Sequence, residues 1–217
     1  MKVTPREAQA RATNSKSIRQ WRESLKLSAF QKSVLIGSLL GDGCLVANSW
    51  KKNYRLKFHH GAKQERLVRW KHDILQNFMF SEKPRWYGKT SSWICRTISH
   101  PEFTQYHQIF YPEGKKIVPN NIERYLVDPV ALAVWYMDDG AVKKSEGSFF
   151  LHTQSFSRRE NKLLQKCLQK NFGVEASIVK NKTYDILYIR KRSSNDFFKA
   201  VERYATDLTS EKCPVAP

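Results

Sequence analysis

The sequence predicts a mixed α and β protein built from two similar halves, and three observations support this. Two strongly apolar helices are predicted, and each ends in an Asp-Gly pair. After each helix, apolar residues recur at every second position, which is typical of strands with one buried face. The same order of elements occurs twice along the chain, so we expect two halves related by a pseudo-twofold axis.

The first predicted helix begins at Ser28 and contains two glycines. Ser28 and Gln31 fit a capping box, in which each side chain accepts a hydrogen bond from the other residue's backbone N–H. The helix is expected to stop at Gly43, because glycine tolerates the positive φ of a helix C-terminus. Gly37 and Gly41 lie on one face, although a glycine inside a helix costs about 1 kcal/mol relative to alanine. We therefore expect another helix to approach closely at these glycines.

The second predicted helix begins at Asp128. Its carboxylate is a suitable N-cap, and Pro129 occupies the first helical position, where a missing N–H has no cost. This helix runs to an Asp-Asp-Gly sequence that contains Asp139. At the positions that match the two glycines it carries Val134 and Asp138, so it is bulkier than the first helix and the predicted symmetry is imperfect.

Strands and amphipathic helices are predicted between and after these two helices. Period-two alternation indicates strands at residues 54–59, 174–179 and 184–190. Amphipathic patterns indicate helices at residues 64–78 and 157–172, and the second of these begins with another capping box.

Matched distances support the repeat, because sequence identity between the halves is low. Asp42 precedes Lys116 by 74 residues (116 − 42), and Asp139 precedes Lys212 by 73 residues (212 − 139). The predicted segments are a basic N-terminal helix or arm over residues 1–27, a first half over residues 28–120 and a second half over residues 121–217.

Positive charge is distributed along the whole chain. The 217 residues include 38 Lys and Arg against 20 Asp and Glu, a formal net charge of +18. Such a chain repels itself unless a polyanion supplies counter-charge. Nucleic acid is the favoured partner. An acidic membrane surface is the second possible partner, and the remaining alternative is a basic ribosome-associated protein or one that merely has a high pI.

Several classes of protein are not favoured by the sequence. The longest apolar stretches, residues 34–40 and 129–137, are far shorter than the roughly 20 residues that span a bilayer. The charged N-terminus does not resemble a secretory signal, and the four cysteines form no Cys-x-x-Cys pair that would suggest zinc. We expect an intracellular protein of the cytoplasm, nucleoid or an organelle matrix.

Asp42 and Asp139 are predicted to lie at the C-terminal ends of their helices, where the helix dipole disfavours a carboxylate. Two acids at matching positions suggest a bound divalent cation, which would reverse that preference. If the two helices pack side by side, both carboxylates reach one point and form a site suited to Mg²⁺, as in two-metal phosphodiester hydrolysis. A nearby lysine would neutralise charge in the transition state or assist the attacking water.

Residues 35–43 (LIGSLLGDG) and 132–140 (LAVWYMDDG) resemble two copies of the LAGLIDADG motif, with their acids 97 residues apart (139 − 42). Over residues 28–214 the chain resembles the monomeric, double-motif branch of the LAGLIDADG homing endonucleases. The resemblance implies an α+β fold of two αββαββα halves, whose curved antiparallel sheets form a saddle over double-stranded DNA. It also implies a double-strand break with cohesive 3′ overhangs at a long, asymmetric site, which promotes intron mobility.

The resemblance also implies roles for individual residues. Asp42 and Asp139 match the metal-binding acids, which would share two or three Mg²⁺ ions, with Mn²⁺ or Ca²⁺ able to substitute in binding. Lys116 and Lys212 match active-site lysines. Asp138 is expected to be a solvated or capping carboxylate more than a direct metal ligand. The helix-interface positions are Gly37, Gly41, Val134 and Asp138.

A DNA-binding surface is predicted on polar strand faces and in the loops that follow each motif. Arg, Gln and His read base edges, whereas Lys mostly contacts phosphates. If about 8 phosphates are neutralised, log K should fall against log[salt] with a slope near −7. The predicted DNA-binding residues are Lys51, Lys52, Arg55, Lys57, His59, Lys143, Lys144, His152, Gln154, Lys180, Lys182, Arg190 and Arg192.

Two other functions remain open at this point. Some LAGLIDADG proteins are maturases, which bind their own intron RNA and assist splicing. A transcription regulator with the same fold is the third possibility, but such a protein would be expected to lose at least one motif acid. This sequence keeps both Asp42 and Asp139, which favours cleavage.

Overall fold

The computed structural model describes residues 16–49, 51–79, 81–208 and 212. Residues 1–15 of the predicted N-terminal helix or arm lie outside the described residues. The described helices are α1 (Lys16–Ser24), α2 (Ala29–Leu40), α3 (Glu65–Ile74), α4 (Pro101–Phe110), α5 (Pro129–Asp139), α6 (Arg158–Phe172) and α7 (Ser194–Leu208). The described strands are β1 (Cys44–Ala47), β2 (Tyr54–Gly61), β3 (Arg85–Tyr87), β4 (Ser92–Arg96), β5 (Gly140–Lys143), β6 (Ser148–Leu151), β7 (Ala176–Asn181) and β8 (Tyr184–Ile189).

The order αββαββα occurs twice along the chain. The first series runs from α2 to α4 and the second from α5 to α7. Each series contains a four-stranded antiparallel sheet, with strand orders β1-β2-β4-β3 and β5-β6-β8-β7. The predicted α+β class with a repeated order of elements is therefore confirmed. None of the helices in the described residues has the length and apolar character needed to cross a membrane.

The chain separates into two compact units. The first combines the described residues up to Lys32 with residues 43–108, and the second combines residues 33–42 with residues 109–217. Most of α2 thus groups with the second unit, because it packs against α5. These units differ from the halves at residues 28–120 and 121–217, which remain a prediction about the repeat in sequence.

In the first unit, α2 begins as the sequence predicts. The backbone N–H of Ser28 donates to Gln31 Oε1 at 3.1 Å, and that of Gln31 donates to Ser28 Oγ at 3.2 Å. The Gln31 amide also donates to the carbonyl oxygen of Ile74 at 2.7 Å and to Asn77 Oδ1 at 2.8 Å. The helix predicted at residues 64–78 is shorter than expected, because α3 ends at Ile74 and a 3₁₀ turn follows.

In the second unit, α5 is buried along nearly its whole length, from Val130 to Asp138. The predicted N-cap is confirmed, since the Asp128 side chain accepts from the backbone N–H of Val130 at 3.0 Å. The capping box at Ser157 and Glu160 is also confirmed at the start of α6. A helix that is covered on all sides needs no polar face. This explains the almost uniformly apolar sequence of this motif helix.

Candidate active site and nucleic-acid interface

The helices α2 and α5 touch at the two glycines of the first motif. A Cβ added to Gly37 would lie within 3.0 Å of the Ala131 carbonyl oxygen and 2.7 Å from Val134 Cβ. A Cβ added to Gly41 would lie 2.7 Å from Asp138 Oδ2. A Cβ atom does not approach another heavy atom this closely, so only glycine fits at both positions. The glycines therefore allow the two motif helices to end close together.

The two motif acids lie at these neighbouring helix ends. Asp42 is exposed, whereas Asp139 is partly buried. Burial raises the pKa of Asp139 to about 7, and the negative charges of Asp42 and Asp138 contribute in the same direction. Lys116 and Lys212 oppose this rise. The carboxylates are close enough to repel each other, and a cation bound between them would relieve that repulsion.

Asp138, the additional acid of the second motif, supports the acid of the first. Its side chain is 6% exposed and packs against Gly41. Its Oδ2 accepts a hydrogen bond from the backbone N–H of Asp42 at 3.2 Å. Asp138 is thus a capping carboxylate rather than a solvated one, and it fixes the backbone that carries Asp42.

Lys116 and Lys212 each reach the C-terminal end of a motif helix. Lys116 Nζ donates to the carbonyl oxygen of Gly41 at 2.8 Å. Lys212 Nζ donates to the carbonyl oxygens of Met137 at 2.8 Å and Asp138 at 2.9 Å. Both ammonium groups lie where the helix dipole is negative, so they stabilise helix ends that the acids destabilise.

The segment that carries Lys116 is held by backbone hydrogen bonds. The N–H of Ile117 donates to the carbonyl oxygen of Phe110 at 2.8 Å. The N–H of Val118 donates to Glu160 Oε1 at 2.8 Å, and Glu160 is also the acid of the α6 capping box. The start of α6 therefore fixes the position of this lysine segment.

The donor set fits a magnesium site better than a zinc site. In the part of the chain that the structure describes, no three His, Cys, Asp or Glu side chains surround a common point. Zinc sites usually need three or four such ligands. Mg²⁺ instead keeps several waters and takes one or two carboxylates together with substrate phosphates. Asp42 and Asp139 are the two carboxylates that could take this part.

His152 and Gln154 lie in a different place from the one predicted. The sequence suggested a short strand face, but β6 ends at Leu151 and both residues follow it. The backbone N–H of His152 donates to the carbonyl oxygen of Asp139 at 2.8 Å. Burial, followed by the charge of Lys212, lowers the pKa of the partly buried His152 side chain. His152 therefore belongs to the neighbourhood of the acid pair.

The first sheet carries a concave basic groove of about 510 Å³. It contains Arg55 and Lys57, as predicted, and also Arg85 and Arg96, which the sequence did not single out. Arg96 lies directly opposite Lys57 in the pairing of β2 with β4. The full lining is Val46, Ala47, Arg55, Lys57, Ser81, Arg85, Tyr87, Ile94 and Arg96.

Like charges in this groove favour an anionic partner. Directly opposed cations destabilise an antiparallel pair of strands, so the arrangement of Lys57 and Arg96 indicates binding rather than stability. Burial, followed by the charge of Arg96, lowers the pKa of Arg55, and Arg55 Nε is buried without a hydrogen-bond partner among the described residues. A phosphate or a base edge would satisfy that N–H. His59, by contrast, is bound to Ser92 on the same sheet.

Most predicted cations of the second sheet are paired with acids. Lys180 lies 3.0 Å from Asp185, and Arg190 and Arg192 both pair with Glu175. Lys182 occupies the turn between β7 and β8, where its φ is 55°. The basic residues around β7 and β8 are therefore more fully neutralised than their number suggested.

The predicted loop lysines lie on exposed turns. Lys51 and Lys52 follow β1, and Lys51 has a φ of 54°. Lys143 ends β5 and pairs with Glu146, whereas Lys144 begins the following turn. Exposed, flexible side chains of this kind suit phosphate contacts, which need charge more than fixed geometry.

Solved structures with this fold include two DNA-bound nucleases. The homing endonuclease I-WcaI, bound to its DNA recognition sequence, superposes with a TM-score of 0.83 over 99% of this chain and 100% of its own, at 24% identity. The structure of I-DmoI in complex with DNA and Mn has a TM-score of 0.50 over 79% of this chain and 96% of its own, at 15% identity. These similarities show a shared fold.

Curated relatives include a probable endonuclease and an mRNA maturase. A probable intron-encoded endonuclease of Wickerhamomyces canadensis is 29% identical over 201 residues, which are 88% of this chain and 87% of the relative. The cytochrome b mRNA maturase bI2 of Debaryomyces hansenii is 28% identical over 166 residues, 70% of this chain and 60% of the maturase. The model of the LAGLIDADG DNA endonuclease family matches residues 32–197. The chain therefore belongs to the LAGLIDADG DNA endonuclease family.

Proposed function

We propose that the protein is a site-specific homing endonuclease that hydrolyses both strands of duplex DNA at one long, asymmetric target. The observation that carries this proposal is the pair of acids, Asp42 and Asp139, at adjoining helix ends, with a lysine on the carbonyl oxygens of each helix. A protein that only bound nucleic acid would gain nothing from two mutually repelling carboxylates. Both acids come from one chain, so we expect a monomer to be active.

Asp42 and Asp139 would hold two or three divalent cations, with Mg²⁺ as the physiological ion. The raised pKa of Asp139 supports this, because the site favours added positive charge. The chemistry that divalent cations supply in such sites is activation of a water and neutralisation of the leaving 3′ oxygen. The DNA complex of I-DmoI with Mn supports the use of a divalent cation.

Lys116 and Lys212 would neutralise negative charge at the scissile phosphates. Each ammonium is fixed on a helix-end carbonyl, and both lower the pKa of Asp139 from nearby. A fixed cation that needs no rearrangement stabilises a transition state more effectively than a mobile one. We assign one lysine to each strand, because each lysine lies at the end of a different motif helix.

The basic groove of the first sheet would bind target DNA. Arg55, Arg85 and Arg96 line one concave surface together with Lys57. Guanidinium groups form bidentate hydrogen bonds with guanine edges in the major groove, whereas lysines mostly neutralise phosphates. We therefore assign base reading to the arginines and backbone contact to Lys57 and the exposed loop lysines.

Selection followed by cleavage tests this function and identifies the target in the same experiment. A random duplex library is first selected for binding in Ca²⁺, and the recovered pool is then incubated with Mg²⁺, Mn²⁺ or EDTA. We expect double-strand breaks with cohesive 3′ ends at one sequence in Mg²⁺ or Mn²⁺, and intact DNA in EDTA. Cleavage in EDTA, or binding to no duplex sequence, would contradict the proposal.

An RNA maturase is the second candidate function. It is favoured by the similarity to the maturase of Debaryomyces hansenii. The test is in vitro splicing of any intron that the flanking DNA shows to contain the reading frame, with wild type and Asp139→Asn compared. Splicing that both proteins accelerate equally would establish a maturase activity that does not use the acid pair.

A further inference from the structure

The side chain of Tyr136 binds the backbone of Lys212, and the side chain of Lys212 binds the backbone around Tyr136. Tyr136 Oη donates to the carbonyl oxygen of Lys212 at 2.5 Å. In return, Lys212 Nζ donates to the carbonyl oxygens of Tyr136, Met137 and Asp138, at 3.4, 2.8 and 2.9 Å. We call this closed set of hydrogen bonds the Tyr136–Lys212 clasp.

The phenol of Tyr136 is itself rigidly placed. Its side chain is fully buried, and its ring packs edge-on against Phe149 and Phe197, with centroids 5.8 and 5.2 Å away. The ring also fills the space that a side chain at position 140 would need, which explains Gly140 at the end of α5. A hydroxyl on so fixed a ring is a firm anchor for the chain that crosses it.

The first motif carries a leucine where the clasp has its tyrosine. The residue that corresponds to Tyr136 is Leu39, which is buried and whose side chain holds no polar atom. Lys116 donates to the carbonyl oxygen of Gly41, and its segment is held by Phe110 and Glu160. The two lysines are therefore positioned by different means.

We propose that Tyr136 is a positioning residue that holds Lys212 at the end of α5 and thereby sets the cleavage rate of one DNA strand. The proposal rests on the proposed function, because it assigns each lysine to one strand. Without the phenol hydroxyl, the carbonyl oxygen of Lys212 loses this hydrogen bond. The Lys212 ammonium then spends less time hydrogen-bonded to the carbonyl oxygens at the end of α5. We expect little effect on the Lys116 side, because the hydrogen bonds described for that segment join it to Gly41, Phe110 and Glu160.

Strand-resolved cleavage tests this directly. A target duplex labelled with a different dye on each strand gives both nicking rates under single-turnover conditions. The variants are Tyr136→Phe, Lys212→Met, Lys116→Met and the double variant of Tyr136→Phe with Lys212→Met. Tyr125→Phe is the matched control, because it removes a phenol hydroxyl from a half-buried ring that packs on Phe110 and that takes no part in the hydrogen bonds of the clasp.

We expect Lys212→Met to slow one strand more than the other, and Lys116→Met to show the opposite bias. Tyr136→Phe should slow the Lys212-dependent strand about three- to tenfold, the effect of one hydrogen bond, and change the other strand less than about twofold. In the Lys212→Met background the same change should have almost no further effect on that strand, because the two residues act together.

Three results would contradict the proposed positioning role of Tyr136. They are equal slowing of both strands by Tyr136→Phe, a similar loss with Tyr125→Phe, or a full additional loss in the Lys212→Met background. One molecule makes both nicks, so the ratio of rates does not depend on the folded fraction. If wild type cuts neither strand, the proposed function fails. If wild type cuts and Tyr136→Phe keeps its strand ratio, only the clasp fails.

Discussion

The two motif helices perform matching tasks with different residues. The end of α2 is slender, with Gly37 and Gly41 at the helix contact. The end of α5 is bulky and is buried as far as Asp138, whose side chain accepts a hydrogen bond from the backbone N–H of Asp42. The close approach therefore depends on small residues in only one of the two helices. Two matching helices that pack together therefore do not need the same residues at their contact, because glycines on one helix leave room for larger side chains on the other.

The two sheets differ in a similar way. In the first, cations oppose each other across β2 and β4, as in the pair formed by Lys57 and Arg96. In the second, Glu175 and Asp185 neutralise the basic cluster at the strand ends. We infer that the two sheets contribute unequally to the affinity for DNA, as expected for a chain that reads an asymmetric target.

The largest expected effect on stability comes from filling the space at the helix contact. Gly37→Ala places a methyl group against the Ala131 carbonyl and Val134, so we expect unfolding to become easier by about 3 kcal/mol in urea titrations. Gly61→Ala is the control, because Gly61 has open space around its Cβ position and a φ of −62°. It should change stability by less than about 0.5 kcal/mol. Equal effects would contradict the close helix contact.

The next effect concerns pH. The folded pKa of Asp139 is about 7, against an ordinary value of 3.8, so the folded state binds the proton more tightly. Without divalent cations, the proton on Asp139 therefore stabilises the folded state. Its contribution to the free energy of unfolding is complete below about pH 4 and is lost as the pH rises to about 7. Asp139→Asn should therefore be more stable than wild type at pH 8, by about 2 kcal/mol, and the advantage should shrink in Mg²⁺. Thermal unfolding from pH 4 to 8 measures this, and a constant difference between the proteins would contradict it.

The lysines should differ in their effect on stability. Lys212 caps α5 through three carbonyl oxygens, whereas Lys116 donates to the carbonyl oxygen of Gly41, directly after α2. Lys212→Met should cost about 1.5 kcal/mol and Lys116→Met about half as much, when free energies of unfolding are compared in EDTA. The reverse order would show that the caps are not what these lysines contribute to the fold.

The smallest effect compares one arginine from each sheet. Arg55→Gln should weaken binding of the DNA target in Ca²⁺ about fivefold and leave the salt slope nearly unchanged, because we assign Arg55 to a base edge and not to a phosphate. Arg192→Gln should change affinity less than about twofold, because Glu175 already pairs with that guanidinium. Titrations at several salt concentrations measure both. A larger loss for Arg192→Gln would reverse the assignment of the two sheets.

Local chemistry accounts for what the sequence could predict. The caps at Ser28 and Asp128 depend on residues at most three positions away, so their signals lie within a few letters. The alternation in β2 and the Asp-Gly helix ends are equally local. Matched spacing then allowed the repeated αββαββα order to be predicted from the same signals.

Contacts between distant segments account for what the sequence could not predict. Arg96 joins the groove only through the register of β2 with β4, which no single stretch of sequence specifies. The ion pair of Arg192 with Glu175 and the hydrogen bond from Tyr136 to Lys212 likewise depend on the fold. Arg85 belongs to a three-residue edge strand, too short to give a periodic signal.

The central claim is that Asp42 and Asp139 form one shared catalytic site. The most direct measurement is the single-turnover rate of nicking of each strand in Mg²⁺, for wild type, Asp42→Asn and Asp139→Asn, with target binding measured in parallel in Ca²⁺. We expect each substitution to slow the nicking of both strands by at least about a thousandfold, while both variants still bind the target. A variant that still cut one strand at the wild-type rate would contradict it.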